Sequence, residues 1–109
     1  SHRRVRFTVT VGVAYRSEPR RVMQLLSEVA ERHGLVEKEP KPQVLFTEFG
    51  DSTLSFELRF WVDVTRANAA QVSSDLRLMI AGAFAAWQRQ GAAWPIALYE
   101  LDPRPRITH

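Results

Sequence analysis

The sequence predicts an α+β domain, a two-layer ferredoxin-like or split βαβ sandwich with the element order β-α-β-β-α-β. Three observations lead there. Apolar residues alternate with polar ones along residues 5–15 and again along 54–62, the period of a half-buried strand. Two other segments repeat apolar residues at helical spacing, and turn-forming residues separate the four. A chain of 109 residues is long enough for one core of this kind and too short for two ordinary domains.

The first strand covers Val5 to Tyr15. Val5, Phe7, Val9, Val11, Val13 and Tyr15 share one face, and Arg4, Arg6, Thr8 and Thr10 share the other. Gly12 and Ala14 leave room for a close neighbour, so the strand is expected to be central or covered. Ser17-Glu18-Pro19 supplies a hydroxyl for an N-cap, an acid near the positive helix end and a proline for the first turn. The first helix is predicted over Glu18 to His33, with Val22, Leu25, Leu26, Val29 and Ala30 as its apolar stripe. Gly34 is placed at the left-handed position that ends many helices.

The segment from Glu37 to Pro42 has no apolar periodicity and two prolines, and reads as a connector. Residues 42–62 then form two strands joined at Gly50-Asp51-Ser52. Leu54, Phe56, Leu58, Phe60 and Val62 lie on one face; Ser55, Glu57, Arg59, Trp61 and Asp63 lie on the other, with Trp61 breaking the alternation. The hairpin register is open. A three-residue loop aligns Val44 and Phe46 with Leu58 and Phe56, while two- or four-residue loops put Leu45, Thr47 and Phe49 on that face instead.

A second helix is predicted from about Asn68 to Gln90, with Thr65 and Asn68 as competing N-caps and Gly91 as the stop. Its stripe is Val72, Leu76, Met79, Ile80, Ala83, Phe84 and Trp87, and both helices are expected on one sheet face. Trp94 to Leu101 reads as a last strand. Pro95 cannot donate to a ladder, so that strand begins at an edge or pairs across a subunit boundary.

Composition narrows the function classes. The absence of cysteine removes disulfides, thiolate zinc sites and a cysteine nucleophile. No apolar run reaches the roughly 18 residues of a membrane-spanning helix, no secretory signal opens the chain, and Ser1-His2 reads as a tag remnant. The net charge of +3 divides into +4 over residues 1–34, −3 over 35–65 and +2 over the rest, which is not the continuous basic stripe of a nucleic-acid module.

Candidate sites are few. His2, His33 and His109 lack metal-ligand spacing, and His33 suits a helix C-terminus. Glu48, Asp51, Glu57 and Asp63 surround the hairpin, but a turn residue and a solvated strand face account for them; no catalytic residue, metal or cofactor is assigned. Arg20 and Arg21 are candidate anion contacts near a helix start. Trp61 and Trp94 are candidate interface aromatics, joined at the last strand by Pro95 and Ile96.

Three blocks carry a resemblance. VGVAYRSEPRRVMQLL, EPKPQVLFTEFGDSTLSFELRFWV and SDLRLMIAGAF, in that order, resemble the cytoplasmic C-terminal domain of the small-conductance mechanosensitive channel family. The resemblance implies a non-enzymatic vestibule domain below a tension-gated pore. Its implied partners are identical subunits, a heptamer in the full-length channel, together with permeating ions and small solutes. The location implied is the cytoplasmic side of a bacterial inner membrane, with membrane contact through segments outside this chain. Residues 1–91 then form the α/β domain and 92–109 a C-terminal strand and tail for oligomerisation. Gly91-Ala92-Ala93-Trp94-Pro95-Ile96 departs from the family in lacking its second proline. The alternative is a ferredoxin-like regulatory domain that binds an anionic small molecule through Arg20 and Arg21; a small enzyme ranks third.

Overall fold

A computed structural model describes residues 3–90. The elements are β1 (Arg4–Ala14), α1 (Pro19–Arg32), β2 (Gln43–Phe49), β3 (Thr53–Asp63) and α2 (Ala69–Arg89), the expected order as far as the described residues extend. The predicted last strand lies outside them.

The strands form an antiparallel sheet in the order β1-β3-β2. Because β3 runs antiparallel to both neighbours, β1 and β2 are parallel to each other with β3 between them, the split βαβ arrangement. Pairing of β1 with β3 is unbroken from Arg4 opposite Asp63 to Ala14 opposite Thr53. Among the described residues β1 is therefore an edge strand; its cover comes from α2, while α1 lies over β2 and β3.

The hairpin uses both of the registers that alternation left open. Next to the turn, Phe49 opposes Leu54 and Glu48 opposes Ser55; beyond a bulge at Thr47, Phe46 opposes Phe56 and Val44 opposes Leu58. One extra residue on β2 converts the first register into the second. The Thr47 hydroxyl donates to the Ser55 carbonyl at 3.2 Å across this irregularity. Gly50 closes the turn by donating its N–H to Thr53 O at 2.7 Å, and a Cβ on Gly50 would lie 2.9 Å from that same oxygen. This close approach explains glycine there.

One core fills the space between sheet and helices. It joins Val9, Val11 and Val13 of β1 to Leu54, Phe56, Leu58, Phe60 and Val62 of β3, under Val22, Leu25, Leu26, Val29 and Ala30 of α1 and Val72, Leu76, Ile80 and Phe84 of α2. Met79, Ala83 and Trp87, expected in the same stripe, are only partly buried at its margin. Each large apolar side chain removed from water contributes about 1.5–3 kcal/mol, so the two helical stripes are the main reason the helices stay on the sheet.

The helix ends differ in detail from expectation. Glu18, not Ser17, is the N-cap of α1 and makes no side-chain cap bond, with Pro19 opening the helix. Ser17 is instead buried in the preceding turn, its N–H donating to Ala14 O. His33 ends α1 in extended conformation, φ −81° and ψ 123°, and its N–H reaches Ala30 O. Gly34 does not take the left-handed conformation, because His33 already turns the chain. At α2, Asn68 is the N-cap and its side chain accepts from Gln71 N at 3.2 Å. Thr65 is engaged elsewhere: its hydroxyl and N–H both donate to Asp63 Oδ1.

Candidate functional site

Three surfaces of the described residues hold the sequence-predicted candidates. The first is the sheet face opposite the helices. Arg4, Arg6, Thr8 and Thr10 are exposed there, and Glu57, Arg59 and Trp61 are half-buried. Glu57 accepts two bonds from the Arg59 guanidinium, the shorter at 3.0 Å, so strand alternation brings opposite charges two residues apart onto one face. Trp61 stands opposite Arg6, and its carbonyl accepts from Glu37 N at 2.9 Å, which ties the connector to the sheet. Arg4, Glu39, Pro40 and Trp61 line a shallow hollow of about 590 Å³, where the Arg4 guanidinium donates to Glu39 O.

Asp63 departs from the solvated face assigned to it. It is 4% exposed, and its carboxylate organises the turn into α2 by accepting from Thr65 N at 3.0 Å and the Thr65 hydroxyl at 2.5 Å. Its backbone carbonyl also accepts from Arg66 and Ala67. These bonds pay the desolvation that burial of a carboxylate demands. Asp51 is exposed at the turn, as a turn residue should be.

The second and third surfaces separate the two arginines. Arg20 lines a hollow with Glu18, Pro19, Met23 and Phe46. Arg21 lies over the Trp87 ring, 5.5 Å from its centroid, at the head of a groove between α1 and α2. Adjacent helical residues project about 100° apart, so the pair does not converge on one site. The groove has a volume of about 500 Å³, an apolar floor that includes Leu25, Met79, Ala83 and Trp87, and Arg21, Glu28 and Arg32 along its α1 bank.

At the other end of that helix pair, His33 Nε2 meets Asp75 Oδ2 at 3.0 Å. Leu35 N donates to His33 Nδ1, which leaves the ring proton on Nε2 facing the carboxylate. The hydrogen bond from His33, then that from Gln71, holds the Asp75 carboxyl below the ordinary carboxylate value. His33 thus joins two helices in addition to ending one. Among the described residues no three His, Cys, Asp or Glu side chains gather as metal ligands, and no helix is long and apolar enough to cross a membrane. Trp94, Pro95 and Ile96 lie outside the described residues.

Sequence reasoning missed two exposed aromatics: Tyr15, expected on the apolar face of the first strand, lies just past the end of β1 and is 48% exposed, and Phe49 is the more exposed. Phe49, which follows the bulge at the hairpin tip, is 75% exposed, its ring tilted 59° to that of Phe46 with centroids 4.9 Å apart. Its place directly before Gly50, between Glu48 and Asp51, was a readable signal of a tip residue. The bulge that sets its side was not.

Residues 7–86 match the family described as mechanosensitive ion channel MscS, C-terminal. The chain belongs to the MscS family. It is 42% identical over 67 residues to the mechanosensitive channel MscK of Escherichia coli, which covers 62% of this chain and 6% of MscK. It is 41% identical over 63 residues to an MscS family protein of Haemophilus influenzae, covering 58% of this chain and 6% of that protein. The solved structure of Helicobacter pylori MscS in its closed state superposes with a TM-score of 0.66 at 27% identity, over 79% of this chain and 33% of that one. The α+β fold is thus the MscS C-terminal fold. The chain spans only about 6% of the length of the first two relatives.

Proposed function

We propose that this MscS-family domain forms part of the wall of a cytoplasmic vestibule below a tension-gated pore, in a homo-oligomer, a heptamer in the full-length protein. Ions and small solutes pass between its subunits, and the domain itself catalyses no reaction. The family match over residues 7–86 carries this reading. The open sheet face supports it: threonines, arginines and the Glu57–Arg59 pair form a hydrated surface of mixed charge, suited to a wall that solutes pass. Within the same reading the domain sits on the cytoplasmic side of a bacterial inner membrane. Trp61, Trp94, Pro95 and Ile96 contribute to subunit contact, and residues 92–109 serve oligomerisation.

Patch-clamp recording of the full-length protein under graded membrane tension tests the function. Stepwise currents whose open probability rises with tension are expected. Membranes that contain the assembled protein and pass no tension-activated current would sink the channel reading.

A further inference from the structure

We propose that the acidic hairpin tip of one copy docks, Phe49 first, into the α1–α2 groove of a neighbouring copy. The proposal rests on the subunit assembly put forward above and names the two surfaces that meet. The tip is a knob: Phe49 is 75% exposed, and residues 47–56 carry Glu48 and Asp51 with no arginine or lysine among them. The groove is a matching socket. Its floor includes Met79, Ala83 and Trp87, and Arg21 and Arg32 stand along one bank. Glu28, the one acid on that bank, already accepts from Gln24 Nε2 at 3.2 Å, whereas Arg32 makes no ion pair among the described residues.

The α2 side of the socket is equally open. Residues 78–88 contain no charged side chain, although Leu78 is 70% exposed and Gly82 faces open space. A helix that keeps apolar residues on its outward side is completed by another surface. An exposed aromatic entering an apolar pocket with carboxylates toward guanidiniums is the composition of an interface anchor. Knob and socket are different patches of one chain, so the contact is head-to-tail, the type that closes into a ring when the rotation permits.

The chain has no cysteine, which makes directed cross-linking clean. In the full-length protein, with any cysteine outside residues 1–109 replaced by serine, Ser52→Cys, which keeps Phe49, combined with Gly82→Cys is expected to give a ladder of covalent multimers on mild oxidation. Either variant alone is expected to give none. Both positions are exposed and a Cβ at Gly82 meets nothing within 4 Å, so folding is retained. Adding Asp51→Arg should lower the cross-link yield by at least about tenfold, and adding Arg21→Asp to that should restore it. A double-cysteine protein that stays monomeric on oxidation, a covalent dimer formed as readily by either single variant, or a charge swap that restores nothing would each overturn the proposal. Tension-activated currents without a ladder defeat this contact alone; a ladder without such currents defeats the channel reading alone.

Discussion

α1 and α2 lie on the same sheet face and bury stripes of similar make-up, yet their outward sides are opposite in character. Every exposed position of α1 is arginine, glutamine or glutamate. Along α2 the run from Leu78 to Gln88 has no charge, and its exposed residues are Leu78, Gly82 and Gln88. Water completes the outer side of α1. The outer side of α2 leaves Leu78 and Gly82 exposed within that uncharged run, and the contact proposed above is built on that side.

The comparison breaks first if the two helices do not share that core equally. Leu26 of α1 and Leu76 of α2 are both fully buried. Leu26→Ala and Leu76→Ala should each cost about 2–5 kcal/mol in denaturant unfolding, through lost transfer energy and the cavity left behind. A cost under about 1 kcal/mol at Leu76 alone would mean that α2 is held by its neighbours rather than by this core.

A smaller effect sharpens the contrast at the helix starts. The Asn68 side chain accepts from Gln71 N, whereas Glu18 makes no side-chain cap bond and relies on Pro19 to set the first turn. Asn68→Ala is therefore expected to cost about 1 kcal/mol, and Glu18→Ala no more than a few tenths, on the same unfolding curves. Equal losses would show that the Asn68 bond contributes nothing beyond the backbone conformation.

The elements themselves were legible because periodicity records which face is buried. Leu54 to Val62 and the stripe from Val22 to Ala30 fall where their spacing puts them. What escaped were features that depend on one residue or on distant partners. The bulge at Thr47 changes the parity of β2 midway, which no alternation rule foresees. Asp63 has a strand-face position but is enclosed by Arg3 from the chain's start and Thr65 from the following turn. At the candidate site, the neighbouring arginines suggested one anion contact, yet helical geometry alone sends them to separate hollows. The groove beside Arg21 needs two helices placed against each other, and only the charge-free run of α2 hints at it from one strand of sequence.

Asp75 is where the two helices are tied, and its titration gives the finest test of how they are joined. Its carboxyl titrates below the ordinary value of 3.8 because the His33 bond, then the Gln71 bond, favours the charged form. A carboxylate depressed in the folded state adds stability that is complete above its unfolded-state pKa and is lost as pH falls through the folded-state value. Wild type should therefore exceed Asp75→Asn in stability above about pH 4, and the gap should close on further acidification. By carbon-detected titration of the Asp75 carboxyl, His33→Ala should raise its pKa more than Gln71→Ala does, since the first bond is the larger cause. If the Gln71 variant moves it more, the carboxylate is ordered by its own helix, and the α1–α2 tie is a consequence of the packing beneath it rather than a contributor to it.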